Sequence, residues 1–173
     1  MLNFKMATAV LAVVALGACT NPNGVGNGGL FGGGSNNGSG QTFESGSASD
    51  PTSPAYFQQT VGDRVLFLVD QATLTDAGRA TLRAQAAWLA ANGDYVAIIE
   101  GHADEQGTRE YNLALGARRA NAVREFLVSQ GVAGVRLKTL SYGKERPIEI
   151  CSAEDCYAQN RRAVTIISGG LTS

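Results

Sequence analysis

The chain has 173 residues, of which 22 are glycine and three are cysteine, and its formal net charge is -1. This length allows one folded domain with extensions. The near-neutral charge disfavours a general binder of nucleic acid or of an anionic membrane surface, because such proteins carry a basic excess.

Residues 1–18 have the pattern of a secretory signal peptide. One cation, Lys5, precedes an apolar run that is about half as long as the ~20 residues needed to span a bilayer. The letters LGAC, which end at Cys19, are similar to a bacterial lipobox, in which the cysteine becomes an acylated N-terminus, for example with palmitate. The alternative is an ordinary signal peptide with a chance cysteine.

The residue after the cysteine bears on which membrane would hold such an anchor. Thr20 stands where many lipoproteins of the inner membrane have an aspartate. Several acyl chains would anchor the protein without a spanning helix. We therefore expect a lipid-anchored protein of the outer membrane, with its domain facing the periplasm.

A stretch rich in glycine, asparagine and serine separates the cysteine from the rest of the chain. Residues 19–55 contain few apolar side chains, and such a sequence buries too little surface to offset the entropy of ordering. The sequence therefore predicts a flexible tether over residues 19–55 and a folded domain over residues 56–173.

Strands and helices are predicted to alternate in the domain. Val-, Leu- and Phe-rich or alternating runs indicate strands, and Thr75 and Thr108 are good helix N-caps. The predicted elements are a strand at 64–69, a helix at 76–91, a strand at 95–99, a helix from Arg109 to about 129, and strands at 135–142 and 163–167. This β-α-β-α-β-β order predicts an α+β two-layer sandwich with the helices packed on one mixed sheet.

The loop after the second strand and the helix that follows it hold the candidate site. Asp104 lies in that loop, and Asn112 and Arg119 are seven residues apart on the helix, which is about two turns. Arg119 lies among core-facing positions and must find an anion, because a buried charge is costly unless it is paired. Two interpretations stay open: an internal salt bridge from Arg119 to Asp104, or a pair of separated charges that binds a small zwitterion.

Three motifs carry a resemblance to a known family. The runs GHADEQGTREYNLALGARRANAVREFL, SYGKERP and NRRAV occur in this order within residues 61–167. They are similar to the C-terminal domain shared by outer-membrane protein A and the peptidoglycan-associated lipoproteins. The resemblance covers nearly the whole domain, and the family's fold agrees with the predicted order of elements.

The resemblance implies a binding site for the diaminopimelate residue of the peptidoglycan stem peptide. Asp104 would bind the ammonium group of diaminopimelate and Arg119 its carboxylate. Asp70 is a weaker candidate, because Leu68 stands where relatives often have a second acid. The candidate ligand-binding residues are Asp104, Arg119, Asn112, Arg161, Asp70, Gly101 and His102.

The resemblance also implies a non-enzymatic protein without cofactors. Its partners would be peptidoglycan, the TolB protein and the Tol complex that draws the envelope together during division. One alternative is a general envelope-stabilising lipoprotein of the same family without Tol partners. Another is an enzyme that modifies peptidoglycan, with His102 and Asp104 as acid and base.

Cys151 and Cys156 are predicted to form a disulfide. If Cys19 carries lipid, these two remain in an exported protein, where disulfides persist. A zinc site would need four ligands, and two cysteines with the lone His102 do not supply them. We expect the disulfide to brace the loop that presents Arg161, and His102 to fix its own loop through hydrogen bonds.

Overall fold

The computed structural model describes residues 46–169 of the chain. The predicted signal peptide, the lipidation site at Cys19 and residues 20–45 of the predicted tether lie outside these residues. Those assignments stay predictions. No helix between residues 46 and 169 combines the length and the hydropathy needed to cross a bilayer.

Helices and strands alternate through the described residues. The chain begins with a short helix, α1, that continues as one π-helical turn, and a 3-10 turn precedes the third strand. The elements are α1 (Pro54–Tyr56), the π-helical turn (Phe57–Gly62), β1 (Arg64–Leu66), α2 (Asp76–Ala91), β2 (Val96–His102), α3 (Arg109–Ser129), the 3-10 turn (Gly134–Arg136), β3 (Leu137–Gly143), α4 (Glu154–Asn160) and β4 (Arg162–Ser168).

The four strands of the described part form one mixed sheet in the order β1-β4-β2-β3. Strand β4 pairs antiparallel with both β1 and β2, whereas β2 and β3 are parallel. Helix α3 packs against β2 and β3, and α2 packs against β1 and α3. The predicted α+β architecture, with helices on a mixed sheet, is confirmed.

Two threonines cap the long helices as predicted. The Thr75 side chain accepts a hydrogen bond from the Gly78 amide at 3.0 Å, so α2 begins at Asp76. The Thr108 side chain accepts one from the Tyr111 amide at 3.2 Å, so α3 begins at Arg109. Each side-chain oxygen satisfies a backbone donor that has no partner within the helix.

The core lies between the sheet and the two long helices. Its buried apolar side chains include Phe57, Val65, Phe67, Leu82, Trp88, Leu89, Ile99, Val123, Leu127 and Leu137. Trp88 is a core residue, and its indole Nε1 donates to the backbone oxygen of Pro51 at 2.7 Å. Ser53 is also buried. Contacts with the domain therefore begin upstream of the predicted boundary at residue 56.

The structure differs from the predicted elements mainly near the candidate site. Strand β1 ends at Leu66, so residues 67–75 form a loop, and β2 extends to His102. Helix α4 lies between β3 and β4, where the sequence indicated only a loop. A seven-residue helix carries little periodicity, and the pair of cysteines in this segment favoured a disulfide loop instead.

Candidate functional site

A close crossing of helix and strand positions the site. A Cβ atom at Gly101, on β2, would overlap the carbonyl oxygen of Gly116 on α3. Only glycine allows the two backbones to approach this closely. Gly101 therefore acts by bringing α3 against the strand end that leads into the Asp104 loop.

The loop from Ala103 to Thr108 is held in a compact form by its own polar groups. The Asp104 Oδ1 atom accepts a hydrogen bond from the Gln106 amide at 3.2 Å. The Asn112 side chain, buried on the first turns of α3, donates from Nδ2 to the Gln106 backbone oxygen at 2.6 Å. These two bonds fix the distance between Asp104 and the start of α3.

The ion-pair partner of Asp104 is Arg161. Arg161 Nη1 lies 3.2 Å from Asp104 Oδ2, and both side chains are nearly buried. The interpretation that Asp104 forms an internal salt bridge with Arg119 is therefore wrong. Arg161 also donates from Nη2 to Glu154 Oε1. Burial lowers the pKa of Arg161, but its hydrogen bonds to Glu154 and Asp104 outweigh this and hold the pKa above its ordinary value.

Arg119 is buried and binds three backbone carbonyls. Its exposed fraction is 0%, and its guanidinium packs over the Phe67 ring. The acceptors are the backbone oxygens of Gln71 at 2.9 Å, His102 at 2.7 Å and Leu68 at 3.2 Å. Burial lowers its pKa to about 10, although the nearby charge of Asp104 opposes the shift. Arg119 thereby ties the loop after β1 to the end of β2.

A cleft of about 240 Å³ opens beside Asp104. It lies between the loop after β1 and the first turns of α3. Its lining residues are Val69, Asp70, Asp104, Gln106, Gly107, Tyr111, Asn112 and Leu115. The structure thus brings together Asp70, Asp104 and Asn112 among the predicted site residues. Gly101, His102, Arg119 and Arg161 do not line the cleft.

Asp70 and Tyr111 meet across this cleft. The Tyr111 hydroxyl donates to Asp70 Oδ1, and this hydrogen bond raises the pKa of the Tyr111 hydroxyl. Asp70 has a backbone φ of 57°, a left-handed value that is uncommon for residues other than glycine. The hydrogen bond with Tyr111 therefore places the Asp70 carboxylate against α3.

His102 is buried behind the site, where it stacks on Tyr142 with ring centroids 5.6 Å apart. Neither ring nitrogen has a hydrogen-bond partner within the described part of the chain. The expectation that this side chain fixes the loop through hydrogen bonds is therefore wrong, and its backbone oxygen does so instead by accepting from Arg119. Burial, with the charges of Arg162 and Arg146, lowers the pKa of His102 to about 4.

Two polar residues that the sequence did not single out hold the loops around the site. The Asn160 Oδ1 atom accepts from the Ile148 amide at 2.9 Å, and its Nδ2 donates to Glu105 Oε1 at 2.9 Å. Lys144 Nζ donates to the Gly107 backbone oxygen at 2.7 Å and to that of Glu105 at 3.3 Å. Asn160 belongs to the NRR motif and Lys144 to the SYGKERP motif, and this membership was the sequence signal for their roles.

Cys151 and Cys156 are joined by a disulfide, with their Cα atoms 6.0 Å apart. Cys156 lies on α4, and Glu154, the first residue of that helix, lies within the ring that the disulfide closes. In residues 46–169, no three His, Cys, Asp or Glu side chains group in a way that could hold a metal ion.

Comparisons with known proteins place this geometry in a family. The model of the OmpA family matches residues 66–161. The peptidoglycan-associated lipoprotein of Mesorhizobium japonicum is 47% identical over 164 residues, which are 93% of this chain and 90% of that protein. The peptidoglycan-associated lipoprotein of Rhizobium meliloti is 54% identical over 122 residues, 70% of this chain and 69% of that protein.

A solved structure agrees with these sequence matches. The crystal structure of the peptidoglycan-associated lipoprotein from Burkholderia pseudomallei superposes with a TM-score of 0.62 at 38% identity. The match covers 69% of this chain and 98% of that one. The chain therefore belongs to the OmpA family, among the peptidoglycan-associated lipoproteins of that family.

Proposed function

We propose that this protein binds peptidoglycan noncovalently through the diaminopimelate residue of the stem peptide. The observation that carries the proposal is the cleft beside Asp104, which has the acidic side chains of Asp70 and Asp104 in its lining, with the buried Arg119 close enough for both charges to act on it. The names of the relatives, which associate them with peptidoglycan, support the proposal.

The cleft suits the ammonium group of diaminopimelate. Asp70 and Asp104 are the two charged residues of its lining, and both are acids. Asp104 has an anionic oxygen beside the cleft and is nearly buried, so a hydrogen bond from an ammonium to it would be charge-assisted and little screened by solvent. Asn112 and Gln106 add neutral polar groups that orient the ligand.

In this proposal, the guanidinium of Arg119 binds the carboxylate of diaminopimelate. Three of the five N–H donors of a guanidinium are used by the backbone oxygens of Gln71, His102 and Leu68. Because Arg119 has no exposed surface, the ligand must displace the loop that contains Leu68 and Gln71. That loop has no regular secondary structure, and Leu68 is more than half exposed.

This arrangement gives selectivity among stem peptides. Lysine has the ammonium group of diaminopimelate but lacks its second carboxylate. A lysine peptide has no carboxylate for Arg119, so Arg119 would stay bonded to the three backbone oxygens and the peptide would lose that ion pair. A diaminopimelate stem peptide should therefore bind more tightly than its lysine counterpart.

We further propose an outer-membrane lipoprotein that serves the Tol system at cell division. The lipid anchor would be at Cys19 and the tether in residues 19–55, so that the domain reaches peptidoglycan from the membrane. A pull-down from envelope extract with TolB as bait tests the Tol connection. If the protein binds peptidoglycan but TolB does not pull it down, the result would instead support a general envelope stabiliser.

Calorimetric titration of the full chain with a diaminopimelate stem peptide and with its lysine counterpart tests the binding proposal. Asp104→Asn removes the charge that binds ammonium, and Asp94→Asn is the control because Asp94 is exposed and is not part of the cleft lining. We expect the diaminopimelate peptide to bind, and binding to fall by about a hundredfold in the Asp104 variant alone. Equal binding by both variants would contradict the proposal.

A further inference from the structure

Arg161 lies between two carboxylates that belong to different parts of the fold. Its Nη1 contacts Asp104 Oδ2 at 3.2 Å, and its Nη2 contacts Glu154 Oε1. Its Nε donates to the backbone oxygen of Phe67 at 3.3 Å. The guanidinium is nearly buried, so its position is set by these three acceptors.

The charges of this group do not cancel. Arg161 contributes one positive charge, and Asp104 and Glu154 contribute one negative charge each, so the trio retains a net charge of about -1 at neutral pH. Without Glu154, the same guanidinium would neutralise Asp104 by itself. A neutralised Asp104 would attract an ammonium group much less strongly.

We propose that Glu154 is a positioning residue for ligand binding, because it takes up the charge of Arg161 and so leaves the negative charge of Asp104 for the ammonium of the ligand. This inference rests on the proposed function of the cleft. Glu154 does not line the cleft and its side chain is 64% exposed, so its effect passes through Arg161 rather than through contact with the ligand.

The disulfide holds Glu154 in place for this role. Glu154 begins a helix of seven residues, α4, which is too short to be stable on its own. The bond between Cys151 and Cys156 closes a ring around Glu154, and the helix ends at Asn160, next to Arg161. The disulfide therefore restricts where the Glu154 carboxylate can lie relative to Arg161.

Titration of the full chain with the diaminopimelate stem peptide tests the inference. Glu154→Gln keeps the size of the side chain and removes its charge. The matched control is Asp155→Asn, because Asp155 is the next residue in the first turn of α4, is exposed, and makes no salt bridge within residues 46–169. Both variants remove one negative charge from the same helix end, so the net charge changes equally and each loses a similar favourable interaction with the helix dipole.

We expect Glu154→Gln to weaken binding about tenfold, Asp155→Asn to change it less than about twofold, and Glu154→Asp to restore most of the affinity. If the wild-type chain binds the peptide but Glu154→Gln and Asp155→Asn have equal affinities, the role of Glu154 is overturned while the proposed function stands. A wild-type chain that does not bind would overturn the proposed function and this inference with it.

A double-mutant cycle tests whether the disulfide acts on ligand binding through Glu154. The variant Cys151→Ser with Cys156→Ser should weaken binding about threefold, and adding Glu154→Gln should then weaken it further by less than it does in the wild-type chain. Independent, additive losses would show that the disulfide does not act through Glu154.

Discussion

Arg161 Nη1 lies 3.2 Å from Asp104 Oδ2, whereas Arg119 directs its guanidinium to the backbone oxygens of Leu68, Gln71 and His102. The two arginines therefore have different tasks in the ligand-free domain. Arg161 forms an ion pair with the acid of the cleft, and Arg119 holds two loops together. Replacing each should have a different consequence.

Arg119→Met should destabilise the domain. The substitution leaves three backbone oxygens without their charged donor, which should reduce the free energy of unfolding by about 3 kcal/mol or more. Arg118→Met is the control, because Arg118 is exposed and its guanidinium lies over the Tyr111 ring, 5.8 Å from the ring centroid. Urea unfolding measures both variants, and equal stability would contradict the structural role of Arg119.

His102 should make the domain less stable in mild acid. The folded pKa is lowered from 6.5 to about 4. Between these values the unfolded chain binds a proton that the folded chain does not, so stability is full above about pH 6.5 and falls as the pH decreases toward 4. From pH 7 to pH 4.5 this group should remove about 2 to 3 kcal/mol of stability.

Urea unfolding of the wild type and of His102→Gln at both pH values measures this contribution. Carboxylates that titrate in the same range are common to both chains, so the difference between the two pH slopes isolates the histidine. His102 is the one histidine of the sequence, so NMR can follow its titration directly. Parallel pH slopes, or a histidine that titrates near pH 6.5, would contradict the expectation.

Gly101→Ala should disturb the crossing of β2 and α3. The new methyl group would overlap the Gly116 carbonyl, so the helix must shift, at an expected loss of about 2 to 3 kcal/mol. Gly93→Ala is the control, because nothing lies within 4 Å of a Cβ atom at that position. Thermal unfolding compares the two variants. A Gly101 variant as stable as the Gly93 variant would show that the crossing is not tightly packed.

Lys144→Met should weaken binding of the diaminopimelate stem peptide without unfolding the domain. Lys144 donates to the backbone oxygens of Gly107 and Glu105, and these bonds hold the loop that carries Asp104. Losing a charged donor to this loop should weaken binding about tenfold. Lys138→Met, at an exposed position on β3, should bind like the wild type. If calorimetry gives the two variants the same affinity for the peptide, Lys144 does not support ligand binding.

The sequence was sufficient for the parts of the fold that local signals specify. Thr75 and Thr108 are side-chain caps, and each sets the first residue of its helix where the pattern predicted it. The sheet and its helix layer followed from the alternation of strand and helix patterns. Helix α4 was not predicted, because seven residues are too few to show a clear helical period of apolar side chains.

The ion pairs of the site could not be predicted from local sequence patterns. Asp104 and Arg119 are close in sequence and on adjoining elements, so their pairing was a reasonable expectation. Arg161 is 57 residues from Asp104 and reaches it only because β4 lies beside β2 in the sheet. Such a contact depends on the order of the strands, which local patterns do not report.

The most direct test of the proposed function is a crystal structure of the protein with a bound diaminopimelate stem peptide. We expect the ammonium nitrogen to lie about 3 Å from a carboxylate oxygen of Asp104, the distance of a charge-assisted hydrogen bond. We also expect the ligand carboxylate to contact Arg119, with the loop around Leu68 displaced. A peptide bound elsewhere, with Asp104 still paired to Arg161 alone, would contradict the assignment of this cleft.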